Sequence, residues 1–248
     1  DDAVMEVYPD YPFEGPVANT LEIGGSLINN NIAEFREAGG GWNPQIYYVN
    51  VFFTGEEDAS VTNTSGNPQT TFNELTVDKG NSQSSTLTMD IGGNLDILTD
   101  DWLHLKNGTL EYIRSGNFTI TEESPFNIPS TAGLYLDTPS DVLIANDQTN
   151  NNDVYLSGKL TLIQGNVTIG ATWFPNRNND IEYSAGGNAE LDIQGGALRV
   201  NGQIRRNVNT DAGVLTYRQS GGNVTINGRN ANTSNAKLEI LNEGSRFD

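Results

Sequence analysis

The chain has 248 residues, 13 Lys+Arg against 32 Asp+Glu for a formal charge of −19, and no cysteine. These values exclude a disulfide framework, a thiol nucleophile and a thiolate metal site. They also argue against gripping a nucleic-acid backbone, which needs clustered cations. Hydrophobic residues make up only 35%, but they are strongly patterned, as in a folded chain, rather than scattered through charged tracts. No run of about 18 apolar residues occurs, so no helix is expected to span a membrane.

Residues 1–58 read as an N-terminal lead-in and cap. Pro9, Pro12 and Pro16 punctuate an extended start. Ile32–Ala38 (IAEFREA) suits either a short helix or a strand. Ile46–Phe53 (IYYVNVFF) is an apolar strand of the kind that covers the open end of a stack. From residue 59 to 248 the chain becomes a series of short segments separated by Gly, Asn, Asp and Ser. Phe72–Val77, Thr86–Met89, Asn94–Ile97, Trp102–Leu105, Thr109–Ile113, Lys159–Ile163, Glu190–Ile193, Ala197–Val200 and Lys237–Leu241 all alternate apolar with polar residues. That is the period of a half-buried strand. With no sustained helical period, the fold is expected to be all-β.

The first apolar residues of successive segments can be taken as Leu95, Phe118, Val142, Val167, Leu191, Leu215 and Leu238, a nearly even series. Its step of about 24 residues fits one coil of a parallel β-helix, a solenoid in which each coil rises about 4.8 Å on the last. Roughly seven or eight such coils fit between Phe72 and Leu238. Three related phrases, SGNFTIT at Ser115–Thr121, QGNVTIG at Gln164–Gly170 and GGNVTIN at Gly221–Asn227, describe the corner. Gly-Asn turns the chain, since both residues accept positive φ. The next apolar residue and Ile then point inward, and Thr points outward. Gly165 and Gly222 stand further apart than two such coils, so an insertion is expected at Trp173–Asn179 or Asn207–Gly213.

At Val51–Gly80 (VFFTGEEDASVTNTSGNPQTTFNELTVDKG), followed by GGNLDI, LKNGTLEYI and SGNFTI, the sequence resembles the β-helical regions of large secreted surface proteins of Bacteroidota. Those proteins are of the type IX-secreted, gliding-adhesin kind. The resemblance covers residues 51 to 241 through short motifs. It implies a parallel β-helix at the cell surface or outside the cell. It also implies contact with secretion machinery through a C-terminal sorting region that would follow LNEGSRFD. It carries over no catalytic residue.

Read for chemistry, His104 is the single histidine. It lies between inward Leu103 and Leu105, so it is expected outward and no nucleophilic triad is expected. Asp100 and Asp101, at a turn beside Trp102 with Asp96 on the preceding strand, form the best acidic constellation for a polysaccharide-active enzyme. Solvated turn acids are the plainer reading. Asp147 and Asp153 bracket the loop NDQTNNND and offer hard oxygen ligands to calcium, although the loop equally reads as a polar corner. Asp100, Asp101, Asp147 and Asp153 are the calcium candidates; no other cofactor is expected. Trp173 and Phe174, before Pro175 in a protruding loop, are the ligand candidates. Tyr112, Tyr183 and Tyr217 fall at strand positions and read as ladder or core residues, while Arg205–Arg206 is expected to pair with neighbouring acids. The expectation that follows is a non-enzymatic structural or adhesive segment of a secreted protein, meeting surface glycans or other cell-surface components. A β-helical lyase or glycosidase, and a passive secretion cargo, are the alternatives.

Overall fold

The computed structural model describes residues 18–30, 32–38, 46–63, 69–91, 94–97, 100–113, 116, 118–122, 125–146, 153–170, 179–184, 187–207, 212–230, 233–234, 238 and 246–247. Among them every regular element is a strand, and the sheets are parallel except for two short antiparallel pairs, Arg36–Ala38 with Ile46–Phe53 and Arg229–Asn230 with Thr233–Ser234. The chain winds as a β-solenoid of about six turns with about 26 residues per turn. No helix among the described residues is long and apolar enough to cross a membrane.

Each turn contributes strands to three sides. The first side runs through Ala18–Ile23, Ile46–Phe53, Glu74–Asp78 and the start of Leu103–Tyr112. A separate sheet of Phe126–Ile128, Val154–Leu156, Ile181–Tyr183 and Ile204–Arg206 then takes over that side. The second side is a continuous ladder in which Leu87, Leu110, Leu134, Leu160, Leu191 and Tyr217 lie in register, with Leu160 to Leu191 the longest step. On the third side Phe118, Val142, Val167, Leu198 and Val224 form the corresponding column. The inward Leu, Val and Ile of these columns fill the centre: Leu87, Leu110, Leu134, Leu160 and Leu191 are all at most 1% exposed. Burying such side chains stabilises by about 1.5–3 kcal/mol each before entropy is counted. Stacking like on like lets every turn reuse the same packing solution.

The all-β parallel solenoid matches expectation, with about 26 residues per turn where the sequence suggests about 24, but the residues used to read that step do not form one column. The even track read from the sequence crosses between sides. Val167 pairs with Leu198 rather than Leu191, Leu191 lies on the second side between Leu160 and Tyr217, Leu215 pairs with Ala189, and Leu238 bridges to Ile204 on the first side. The regular step blends columns separated by unequal corners. The insertion is also double. The path from Val167 to Ile181 is more than twice as long as the matching path from Leu198 to Ile204. The path from Ile204 to Tyr217 is likewise more than twice that from Val154 to Leu160.

Two local expectations change as well. Phe72–Val77 is not one strand: Asn73 makes a corner between Gln69–Phe72 and Glu74–Asp78, its Nδ2 donating to Asn50 Oδ1 at 2.9 Å. The stack also reaches into the lead-in segment, because Ile46–Phe53 is paired in parallel on both edges, to Ala18–Ile23 and to Glu74–Asp78. The ambiguous Ile32–Ala38 is strand, split into Ile32–Glu34 and Arg36–Ala38. The Gly-Asn corner behaves as expected at Gly165 and Gly222, with φ of 81° and 70°. A Cβ at Gly165 would stand 2.1 Å from the Thr138 carbonyl oxygen of the turn below, so glycine is required there by space as well as by φ. Asn166 takes no positive φ; it begins the next paired stretch and donates from Nδ2 to Asp141 Oδ1 at 2.9 Å.

Candidate functional site

Where the third side turns into the first, Asp153, Asp180 and Gln203 occupy one corner column, each immediately before its strand. The main chain is zipped across them. Val154 N–H donates to Asp180 O at 2.8 Å and Ile181 N–H donates to Gln203 O at 2.8 Å. The aspartate side chains complete the stack: Asp153 Oδ1 accepts from the Asp180 N–H, and Asp180 Oδ1 from the Gln203 N–H, both at 2.7 Å. A short side chain ending in an acceptor is what a corner N–H needs when its own strand has not yet begun.

Glu182 and Arg205 are register partners on the adjoining strands. The Arg205 guanidinium forks between two carboxylates: Nε donates to Asp180 Oδ2 at 2.6 Å, and Nη2 donates to Glu182 Oε1. One oxygen each of Asp153, Asp180 and Glu182 lies within 4.8 Å of the others. The cluster is largely closed to water, with Asp180 at 0% and Glu182 at 5% exposure.

Burial sets the electrostatics. It pushes Asp153 up to about 7, helped by the Asp180 charge and resisted by the Asp180 N–H and by Arg205. It pushes Glu182 up to about 7 as well, with Asp153 adding to the effect and Arg205 opposing it. For Arg205 burial works against the charge, but Asp180 and Glu182 outweigh it and hold the guanidinium above its ordinary range. Tyr155, the register partner of Glu182, has its phenol raised by burial and by the Glu182 charge. Three carboxylates and one guanidinium, taken out of water together, cannot all carry full charge cheaply. Burial therefore favours the protonated forms of Asp153 and Glu182. The cluster has the donor types a hard divalent cation takes, but Arg205 already bridges two of the three carboxylates, so a cation would have to displace it.

The structure distributes the sequence candidates unevenly. Asp153 is in the cluster. Neither Asp180 nor Glu182 is a candidate in the sequence; the repeated Asp-apolar steps Asp153–Val154 and Asp180–Ile181, at matching points of successive turns, point to Asp180, and no comparable signal points to Glu182. Arg205 pairs with neighbouring acids as expected. Asp100 and Asp101 lie at the turn before Trp102, where Asp101 has a φ of 56°, and they belong to no group of three converging acids among the described residues. Asp147, Trp173 and Phe174 fall outside the described residues, as does the Asp96 side chain. Their segments, 147–152 and 171–178, lead into Asp153 and into Asn179–Asp180, while 208–211 follows Asn207. Two long stretches of the sequence thus lead into the same column, and the third follows the far end of its last strand.

His104 is exposed, its Nε2 4.0 Å from Glu74. Of the aromatic candidates, Trp102, Tyr112, Tyr183 and Tyr217 are core: each is at most 2% exposed. The Trp102 indole N–H donates to Thr119 O at 3.2 Å, and Tyr112 and Tyr217 spend their hydroxyls on Gly116 O and Gln219 Oε1. No known protein family, curated protein or solved structure matches the chain.

Proposed function

We propose that the chain is a rigid, non-enzymatic structural or adhesive segment of a larger secreted protein, working at the cell surface or outside the cell. The observation that carries this is the use of outward polar side chains as rung-to-rung ties. Asn50 Nδ2 donates to Glu74 at 2.8 Å, Asn107 Nδ2 to Asp78 at 2.7 Å, Gln164 Nε2 to Asp137 at 2.7 Å and Asn166 Nδ2 to Asp141 at 2.9 Å. Side chains that link a turn to the next stiffen the stack along its axis, on top of main-chain ladders and stacked aliphatics. The sequence resemblance supports the surface setting and the type IX, gliding-adhesin kinship; surface glycans and other cell-surface components are the partners that reading calls for. The test is antibody labelling of intact cells that make the parent protein. Labelling without permeabilisation is expected, and labelling only after lysis would overturn the surface reading.

A second reading, a polysaccharide-active enzyme, is favoured by one observation: three carboxylates converge with Arg205 across neighbouring turns, two of them at about 7, where general acids and bases work best. Reducing ends or unsaturated products released from a polysaccharide panel by the wild type, and lost in Glu182→Gln, would put this reading first.

A further inference from the structure

The outer face of the second side carries a recess of about 230 Å³ whose lining includes Thr109, Gly133, Tyr135, Lys159, Thr161 and Gln194. Thr109, Gly133 and Lys159 are successive register partners in one outward row, and Tyr135 and Thr161 are partners in the next. Glycine in the first row lets the Thr109 side chain pack down on the strand: a Cβ there would stand 2.7 Å from Thr109 Oγ1. Thr161 lines the recess while only 3% exposed, and its hydroxyl has no hydrogen-bond partner among the described residues. A hydroxyl buried without a partner costs about 1–3 kcal/mol, so it marks a place where something else is meant to bond. Tyr135 stands half-buried beside it, its phenol likewise without a hydrogen-bond partner among the described residues.

We propose that this recess binds one neutral sugar residue, stacked on the Tyr135 ring and hydrogen-bonded to the Thr161 hydroxyl. The size fits one ring with its substituents, below the roughly 300–1,000 Å³ of sites for drug-sized ligands. The charge balance selects a neutral ligand. Lys159 Nζ repels a cation, yet Glu190 at 2.8 Å and Asp192 at 3.5 Å already hold it, so it is not free for an anion. Glu111 and Asp137 next to Tyr135, on a chain of net charge −19, further disfavour an anion. A polyol supplies both donors and acceptors to hydroxyl and carboxamide groups such as Thr161 and Gln194, and C–H faces to an aromatic ring. The ladder beneath is paired on both sides, so it offers no strand edge to a peptide. The site goes beyond the scaffold reading and stands even if that reading fails.

The test is a titration of threonine-methyl-labelled protein with neutral gluco-, xylo- and chito-hexaoses up to about 10 mM, which would occupy most of a site with a Kd of about 1 mM. A saturable shift of the Thr109 methyl, which lines the same recess and is present in every variant, is expected with at least one of them. Tyr135→Ala and Thr161→Val should each weaken it about tenfold or more. Thr161→Val only replaces a hydroxyl by a methyl and should melt no lower than wild type, so its loss of binding cannot be blamed on unfolding. No saturable shift with any of the three, binding that survives both variants, or binding confined to uronate oligomers run alongside would each overturn the proposal.

Discussion

Two corners of the solenoid use the same hydrogen bond and arrive at opposite electrostatics. At the corner between the first and second sides, Asp58 Oδ1 accepts the Thr86 N–H at 2.8 Å; at the corner between the third and first, Asp153 Oδ1 accepts the Asp180 N–H at 2.7 Å. Asp58 is exposed, so the bond from Thr86 dominates and its carboxyl falls below the ordinary value, with Lys79 adding a small pull. Asp153 faces two other carboxylates in a closed space, so burial wins and it rises to about 7. A corner aspartate is a local solution to an orphan N–H; whether it keeps its charge is decided by what the neighbouring turns place beside it. The cations differ in the same way. The fully buried Lys79 reaches across to the Thr54 carbonyl at 2.9 Å and is lowered by burial, whereas Arg205 is met by two carboxylates and is raised.

The largest expected effect breaks the acidic corner outright. Arg205→Leu leaves Asp180 and Glu182 buried without their partner, which costs about 3–5 kcal/mol and should lower Tm by of the order of 10 °C in a chain of this size; calorimetry that found a shift under about 3 °C would show that the fork contributes little. Next comes pH. Asp153 and Glu182 have folded-state values raised above their unfolded ones, so the native state binds more protons between them. Stability from this corner is full below about pH 4 and is lost as pH rises through about 7. Melting temperature should fall by a few degrees over that window on this account, and the Asp153→Asn, Glu182→Gln double variant should flatten the slope.

A sharper contrast is one of sign. At pH 8 Asp153→Asn keeps an acceptor for the Asp180 N–H while removing a crowded charge, so Tm should rise. Asp58→Asn gives up a favourably bonded carboxylate and should lower Tm slightly, a small effect because the group is exposed. The Asp58 contribution is present above the ordinary carboxylate range and lost as pH falls through its lowered value, so the wild type and Asp58→Asn should converge in acid. Movement of both variants in the same direction at pH 8 would remove the comparison. The smallest effect is salt: raising it to about 1 M shortens the screening length to about 3 Å. That should weaken half-exposed Arg218–Glu190 more than Arg205–Asp180, and a double-mutant cycle at each pair would read the difference.

Much of this architecture was legible along the chain. Alternation at Thr86–Met89 or Glu190–Ile193 reports an inward and an outward face, and the Gly-Asn phrases report corners, because both are demands a strand or a turn makes on its own residues. The scarcity of cations was equally plain. The period was harder to read, because Leu191 and Leu198 both satisfy a local pattern and only inter-turn pairing tells which one follows Val167. The aromatic residues were harder too: nothing local separates Trp102, sealed in the core, from Tyr135, which lines a surface recess.

What the sequence by itself determined is an acidic, cysteine-free, all-β chain built from stacked short strands with glycine corners. These follow from composition and from period-two patterning, which act within a few residues. Tertiary structure alone decided that Asp153, Asp180, Glu182 and Arg205 meet, and that Gly133, Tyr135 and Thr161 share a recess. In a solenoid, residues a whole turn apart in sequence become neighbours about 4.8 Å apart. Which residues meet depends on the length of every corner in between, a sum that no single stretch of sequence displays.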